Sequence, residues 1–315
     1  MYRTSFALFL IVFAGKLWAV DTVVLSFDWK PGTYAEVTGY SSTEKLLAGE
    51  SQSVNTVEMS YIMSTKAHEN GMQVDFLNTE VAMSSSGENL PPFMKSYMET
   101  LTEAIPSYII NPEGEVVGIA RLELFRNNVV SGLDDILKDT PEEVRQQLMS
   151  GLQQVFSEEV LGAQIEEEWL KHVGQWIGAE FDDDGVYQVE YEAPVPMLNN
   201  QMVKTAAEYE FVERVNCDAR DQASSCVVLL YRTQTDDVAV GELLRRMTGD
   251  LADVQEMKVS VTTEMELVTD PRTLLTYYVR TVERATAPVQ TADGTQLSEE
   301  VEISEFDYLY VKGAR

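Results

Sequence analysis

Few residues in this 315-residue chain are of a type and spacing that could do chemistry. It has two histidines. His68 precedes Glu69-Asn70-Gly71, a turn sequence, and is expected at an exposed hairpin end. His172 follows Glu168 by four residues, so the two share a face if the segment is helical. A Glu/His pair at that spacing could bind a metal or relay a proton. No further ligands are evident, which leaves an ion-paired or hydrogen-bonded surface histidine. Neither histidine has a Ser or Cys nearby in nucleophile-elbow context. The chain contains no G-x-S-x-G, H-E-x-x-H, Walker or G-x-G-x-x-G motif. Asp182-Asp183-Asp184-Gly185 lacks the ligand spacing of an EF-hand and reads as a turn. Glu166-Glu167-Glu168 reads as a solvated helix face. Acidic side chains are so numerous that no pair stands out for glycosidic chemistry. The expectation is a protein that is not an enzyme and holds no metal and no cofactor.

Charge narrows the partners. Asp and Glu number 52 against 23 Lys and Arg, a formal charge of −29. Phosphate backbones need clustered cations, so nucleic acid is excluded as a partner. Electrostatic docking on anionic lipid is excluded for the same reason. Hydrophobic residues make up 44% of the chain, enough for a sizeable core.

Two features point to export. Arg3 precedes a nine-residue apolar run, Phe6 to Ala14, and Leu17-Trp18-Ala19 ends in a small residue. This is the architecture of a secretory signal peptide over residues 1–19. The run is shorter than the roughly 20 residues a membrane span needs, and no other run approaches that length. No Cys follows it to carry a lipid. Cys217 and Cys226 bracket a polar stretch between two strand-like segments, and a disulfide there would clamp a hairpin loop. The expected location is the periplasm or another exported site.

The elements that must position these residues are mostly strands. Val57, Met59, Tyr61 and Met63 alternate with polar residues, as do Tyr187, Val189, Tyr191, Ala193 and Val195. Alternation of this kind gives antiparallel sheet with one wet face. Met72, Val74 and Phe76 differ in parity from Leu77, Val81 and Met83, which predicts a bulge near Phe76-Leu77. A second slip separates Val301 and Ile303 from Phe306, Tyr308 and Tyr310. Pro112-Glu113-Gly114, Asp270-Pro271 and Ala292-Asp293-Gly294 read as connections. Pro91-Pro92 opens one helix. Thr140-Pro141-Glu142-Glu143 starts another, a third covers about 158–177, and a shorter one covers 238–247. Residues 20–315 are expected to form one α+β domain, a long, strongly curved antiparallel sheet or half-barrel with helices packed on one face. Two loosely similar halves, 33–121 and 185–284, are discernible within it.

This layout resembles the lipoprotein-carrier fold of bacterial envelopes. The segments 107–117 (SYIINPEGEVV) and 168–178 (EWLKHVGQWIG) also resemble an uncharacterised family of exported bacterial proteins. The resemblance implies a half-open barrel that carries an apolar ligand and brings no catalytic residues with it. Methionine packs irregular gaps and can line adaptable pockets. Met59, Met63, Met72, Phe76, Met94 and Met98 are therefore the candidates to line an apolar cavity. The expected partner is an apolar small molecule or lipid. The alternative is an envelope protein partner meeting a structural protein with a filled core.

Overall fold

The structure is a computed structural model that describes residues 22–86, 92–138, 140–182, 185–195, 201–218, 224–248, 259–291 and 294–311. The signal-like segment 1–19, Asp183-Asp184 and Ala292-Asp293 lie outside the described residues.

Eleven strands form one antiparallel sheet: β2 (Tyr34–Leu47), β3 (Glu50–His68), β4 (Gly71–Ser86), β5 (Tyr108–Ile110), β6 (Val116–Ile119), β8 (Val186–Val195), β9 (Gln201–Val215), β10 (Cys226–Thr235), β11 (Ser260–Thr269), β12 (Thr276–Thr291) and β13 (Gly294–Tyr310). Their spatial order is β6-β5-β4-β3-β2-β13-β12-β11-β10-β9-β8. A separate two-stranded ribbon pairs β1 (Val23–Val24) with β7 (Glu180–Phe181). The helices are α1 (Pro92–Glu103), α2 (Leu122–Leu137), α3 (Glu142–Val155), α4 (Glu158–His172) and α5 (Asp237–Thr248).

The expected strongly curved half-barrel is not what the chain forms. The sheet is open, sheet-rich and not curled, with β6 and β8 as its two edges. The reason is in the pairing. Curling needs repeated bulges, and each strand pair carries at most one register shift. The long ladders β12–β13 and β13–β2 carry none. The slip expected in β13 is therefore not a bulge. Val301 and Ile303 lie on the outer face, and Phe306, Tyr308 and Tyr310 lie on the core face. The slip expected near Phe76-Leu77 is a bulge, two residues further on. Ser60 faces Glu80 and Ile62 faces Leu77, so Asn78-Thr79 oppose Tyr61 alone, with Asn78 left-handed at φ 53°. It returns Val81 to the face that carries Phe76.

The hairpin between β3 and β4 turns through Glu69-Asn70, and His68 pairs with Gly71. The Cys217–Cys226 disulfide is formed and closes the loop between β9 and β10, where Cys226 pairs with Val215. None of the described helices is long and apolar enough to cross a membrane.

Three apolar clusters occur among the described residues, a small one of Val203, Val240 and Val259 and two larger cores. The sheet core joins Leu25, Ala35, Val37, Met63, Val74, Leu229 and Leu267 to Trp169, Val173 and Trp176. The helical core joins Tyr97, Val129, Leu133, Leu137, Leu152, Phe156 and Leu161. Helix α4 serves both, with Leu161 at its start in the helical core and Trp169 near its end in the sheet core.

Candidate functional site

A cavity of about 410 Å³ lies at the seam between the two cores. Sequence places its walls by two periodicities. On the sheet side, alternate residues of paired strands share a face. Met63 pairs with Phe76 and Ala35, Tyr61 with Val37, and Val37 with Tyr308. Tyr108, on β5, pairs with Val74 on the same face. On the helical side, Leu161, Gln164, Ile165, Glu168, Trp169 and His172 recur at three- and four-residue intervals, the single face of α4 that roofs the cavity.

α4 is held at both ends. Ser157 caps it by accepting a hydrogen bond from the Val160 amide at 3.3 Å. Glu158 and Glu159 in its first turn and Lys171 and His172 in its last complement the helix dipole. Helix geometry stops at His172, and Gly174–Trp176 forms a tighter 3-10 turn, so the helix ends earlier than the sequence pattern to residue 177 indicates. Trp169 fixes its height by donating Nε1–H to the Gly114 carbonyl at 2.7 Å. Gly114 sits at φ +88°, and a Cβ there would lie 2.4 Å from Ile177 Cδ1 and 3.0 Å from Phe27 Cδ1. Only glycine permits that turn and that approach. On the floor, Gly39 leaves space for the Phe306 ring, which a Cβ would meet at 2.4 Å.

The lining is aromatic. Rings pack edge to face between Trp29 and Trp169 (5.3 Å), Tyr61 and Phe76 (5.6 Å), and Tyr108 and Trp169 (6.0 Å). Burial raises the hydroxyl pKa of Tyr308 to about 12 and raises those of Tyr61, Tyr108 and Tyr310, so all four stay protonated. Among the described residues, Trp29 Nε1–H and the Tyr310 hydroxyl are buried polar groups without a hydrogen-bond partner, and both residues line the cavity.

The mouth is polar. Gln164 and Glu168 are exposed, and His172 is half-buried beside them. Desolvation lowers the His172 pKa; the Glu168 charge opposes this and the Lys171 charge adds to it. Lys171 Nζ lies 3.3 Å from Glu167, 3.4 Å from Glu283 and 3.7 Å from Glu168. Desolvation, then the charges of Glu283 and Glu300, raise the carboxyl pKa of Glu302, which pairs across the sheet with Glu283. No group of three potential ligands able to hold a metal occurs among the described residues.

Of the six residues expected at an apolar cavity, the structure brings Met63 and Phe76 together in its wall. Met72 is buried in the sheet core, and Met59 sits further along β3 beside Gly39. Met94 packs against the helical core, and Met98 on α1 is exposed. Sequence reasoning missed Trp29, Tyr108, Tyr308 and Tyr310, and it took the Glu168/His172 face of α4 for plain surface. The signal that could have found that face was the apolar company of the pair at helical spacing: Leu161, Ile165 and Trp169. A larger open hollow of about 930 Å³ lies over the opposite face of β8–β12. At its centre Arg232 reaches Glu208 (3.0 Å), Glu210 (2.9 Å) and Glu264 (3.3 Å).

Compared with models of known protein families and with curated proteins, the sequence matches none.

Proposed function

We propose that this chain is an exported, non-catalytic protein that binds an apolar or amphipathic small molecule in the cavity beneath α4. One observation carries the reading: a concave apolar site with a polar mouth, roofed by a single helix. Its volume falls in the range of small-ligand pockets, about 300–1,000 Å³. The Cys217–Cys226 disulfide and the signal-like segment 1–19 support export, and the periplasm is the compartment we assign. The reading draws nothing from the lipoprotein-carrier resemblance, whose curved sheet the chain lacks.

The test is native mass spectrometry of the purified protein, with solvent extraction of what it carries. A stoichiometric apolar or amphipathic compound is expected. Ala104 lines the cavity, and Ala104→Trp would fill it without burying a charge. Uptake should be lost while the melting temperature holds. Undiminished uptake by this variant would place the ligand elsewhere and sink the assignment.

A second reading, an interaction protein of the cell envelope, is favoured by the β8 edge. Val186, Tyr187, Val189 and Tyr191 there are each at least 40% exposed, beside unpaired backbone groups. Capture of one specific envelope protein that is lost on replacing Val189 with Lys would favour it.

A further inference from the structure

We propose that the cavity beneath α4 selects organic cations, with an alkylammonium head seated among its aromatic rings and facing Glu168 at the mouth. The inference rests on the reading of this cavity as a binding site and specifies its ligand.

Nine residues in the cavity wall are Phe, Tyr or Trp, whereas such residues make up 9% of the chain. Aromatic faces carry the negative end of the ring quadrupole and attract cations lacking hydrogen-bond donors, quaternary ammonium above all. The geometry suits this. Trp29 meets Trp169 at 78°, Tyr61 meets Phe76 at 72°, and Tyr108 meets Trp169 at 66°, so neighbouring faces turn in different directions, as a cage around a cation requires.

Charge points the same way. Among the described residues, no Lys or Arg lines the cavity, and Glu168 is the single carboxylate that does. Lys171, next to His172 of the lining, is outnumbered by its partners Glu167, Glu168 and Glu283. The Glu168 charge is felt within the cavity, where it adds to the burial that keeps Tyr108 and Tyr308 protonated. An anionic head would meet this field with no Lys or Arg among the described lining residues, and only the Trp29 Nε1–H and Tyr310 hydroxyl donors to offset it. A cationic head finds both the rings and the carboxylate.

Three probes of equal chain length separate the alternatives below their micellar concentrations: decyltrimethylammonium, decanoate and decyl maltoside. Binding is followed by calorimetry at about 0.5 M salt, where attraction to the acidic surface is screened. Decyltrimethylammonium should bind at least about tenfold more tightly than decanoate, the factor expected of one desolvated cation–π contact. Glu168→Gln and Tyr61→Leu should each weaken the cation several-fold and leave the maltoside unchanged. Glu58→Gln, which removes the same charge on the outer face of β3, should change none of the three. Equal binding of all three probes, or tighter binding of decanoate, would overturn the cation preference while leaving the cavity as a binding site. Failure of every probe to bind would overturn the binding site itself. Loss of cation affinity in Glu58→Gln equal to that in Glu168→Gln would reduce the effect to net charge and overturn the proposal.

Discussion

The described elements within residues 34–119 and 186–291 follow the same order and build different interiors. Each runs three strands, a helix and two strands, β2-β3-β4-α1-β5-β6 in one and β8-β9-β10-α5-β11-β12 in the other. In both, the last strand before the helix lies beside the first one after it. The second unit is filled. Val240 of α5 packs with Val203 and Val259, and Tyr209 packs tilted against Tyr231 and edge to face with Trp176. Hydroxyls of its tyrosine cluster are hydrogen-bonded, Tyr191 to Tyr231 at 3.1 Å and Tyr209 to Gln175 at 3.4 Å. The first unit is not. Its final strands span three and four residues, where those of the second span ten and sixteen. Helices α2, α3 and α4 follow them, and α4 roofs the shortened region over a ring-lined cavity. The same meander thus gives a packed core where its strands run on, and a binding-shaped space where helices replace them.

The sharpest way to break this contrast is at the contact that seats the roof. Gly114→Val would force a branched side chain into a left-handed turn and against Ile177 and Phe27. It would also displace the carbonyl that Trp169 grips. Strain and overpacking together should remove at least about 3 kcal/mol in urea denaturation. Hydrogen-exchange protection should fall first in α4 and β5 and survive in β9 and β10. Uniform loss across all eleven strands would mean that the two units are a single cooperative block and that the contrast is one of shape alone.

The matching cut in the second unit is the disulfide. Replacing Cys217 and Cys226 together by Ser frees a loop of about ten residues. Chain entropy predicts a loss of about 2.5–3 kcal/mol, with β9 and β10 becoming the first to exchange. Ligand uptake at the cavity should be untouched. A fall in uptake equal to that of Ala104→Trp would show that the second unit shapes the first.

What the sequence disclosed follows from the range of each interaction. Val186–Val195 is legible as a strand because alternation is local, and the disulfide because ten residues of loop leave little choice. The β4 bulge is legible because parity along one strand records it. Helix α2 is not, although Phe125, Val129, Leu133 and Leu137 are helically spaced. Its start has no capping side chain, only Arg121 at φ 53°, and it follows the β6 pattern with no breaker between. The cavity is the least legible feature. Trp29 and Tyr310 are almost a chain length apart, and only the placing of β13 between β2 and β12 unites them. The methionines carry the right chemistry without that topology, so only Met63 and its cross-strand neighbour Phe76 face the space.

Tyrosine hydroxyls offer a finer comparison. Tyr231→Phe removes a hydroxyl that is paired with Tyr191 and should cost about 1 kcal/mol in a denaturation midpoint. Tyr310→Phe removes a buried hydroxyl with no described partner and should cost nothing or stabilise slightly. Equal losses from the two would erase the distinction between a filled interior and an unfilled one.

The smallest effect concerns pH and belongs to the first unit alone. The chain has two histidines, one at the tip of the β3–β4 hairpin and the other, His172, at the cavity mouth. Burial lowers the His172 pKa below its ordinary value near 6.5, against the pull of Glu168 and with the push of Lys171. The folded state therefore favours the neutral ring, while the unfolded chain takes up a proton as pH falls through 6.5. The contribution is fully present above that value and is lost as pH drops towards the lower folded pKa. His172→Gln has no such proton to exclude. Comparing urea midpoints at pH 7.5 and 5.5, the native protein should lose more stability than His172→Gln, whose own change reports the carboxylates common to both. Identical changes would mean that the ring is as free to charge in the folded protein as in the unfolded chain. The cavity mouth would then be open water, not the partly desolvated rim that burial of His172 requires.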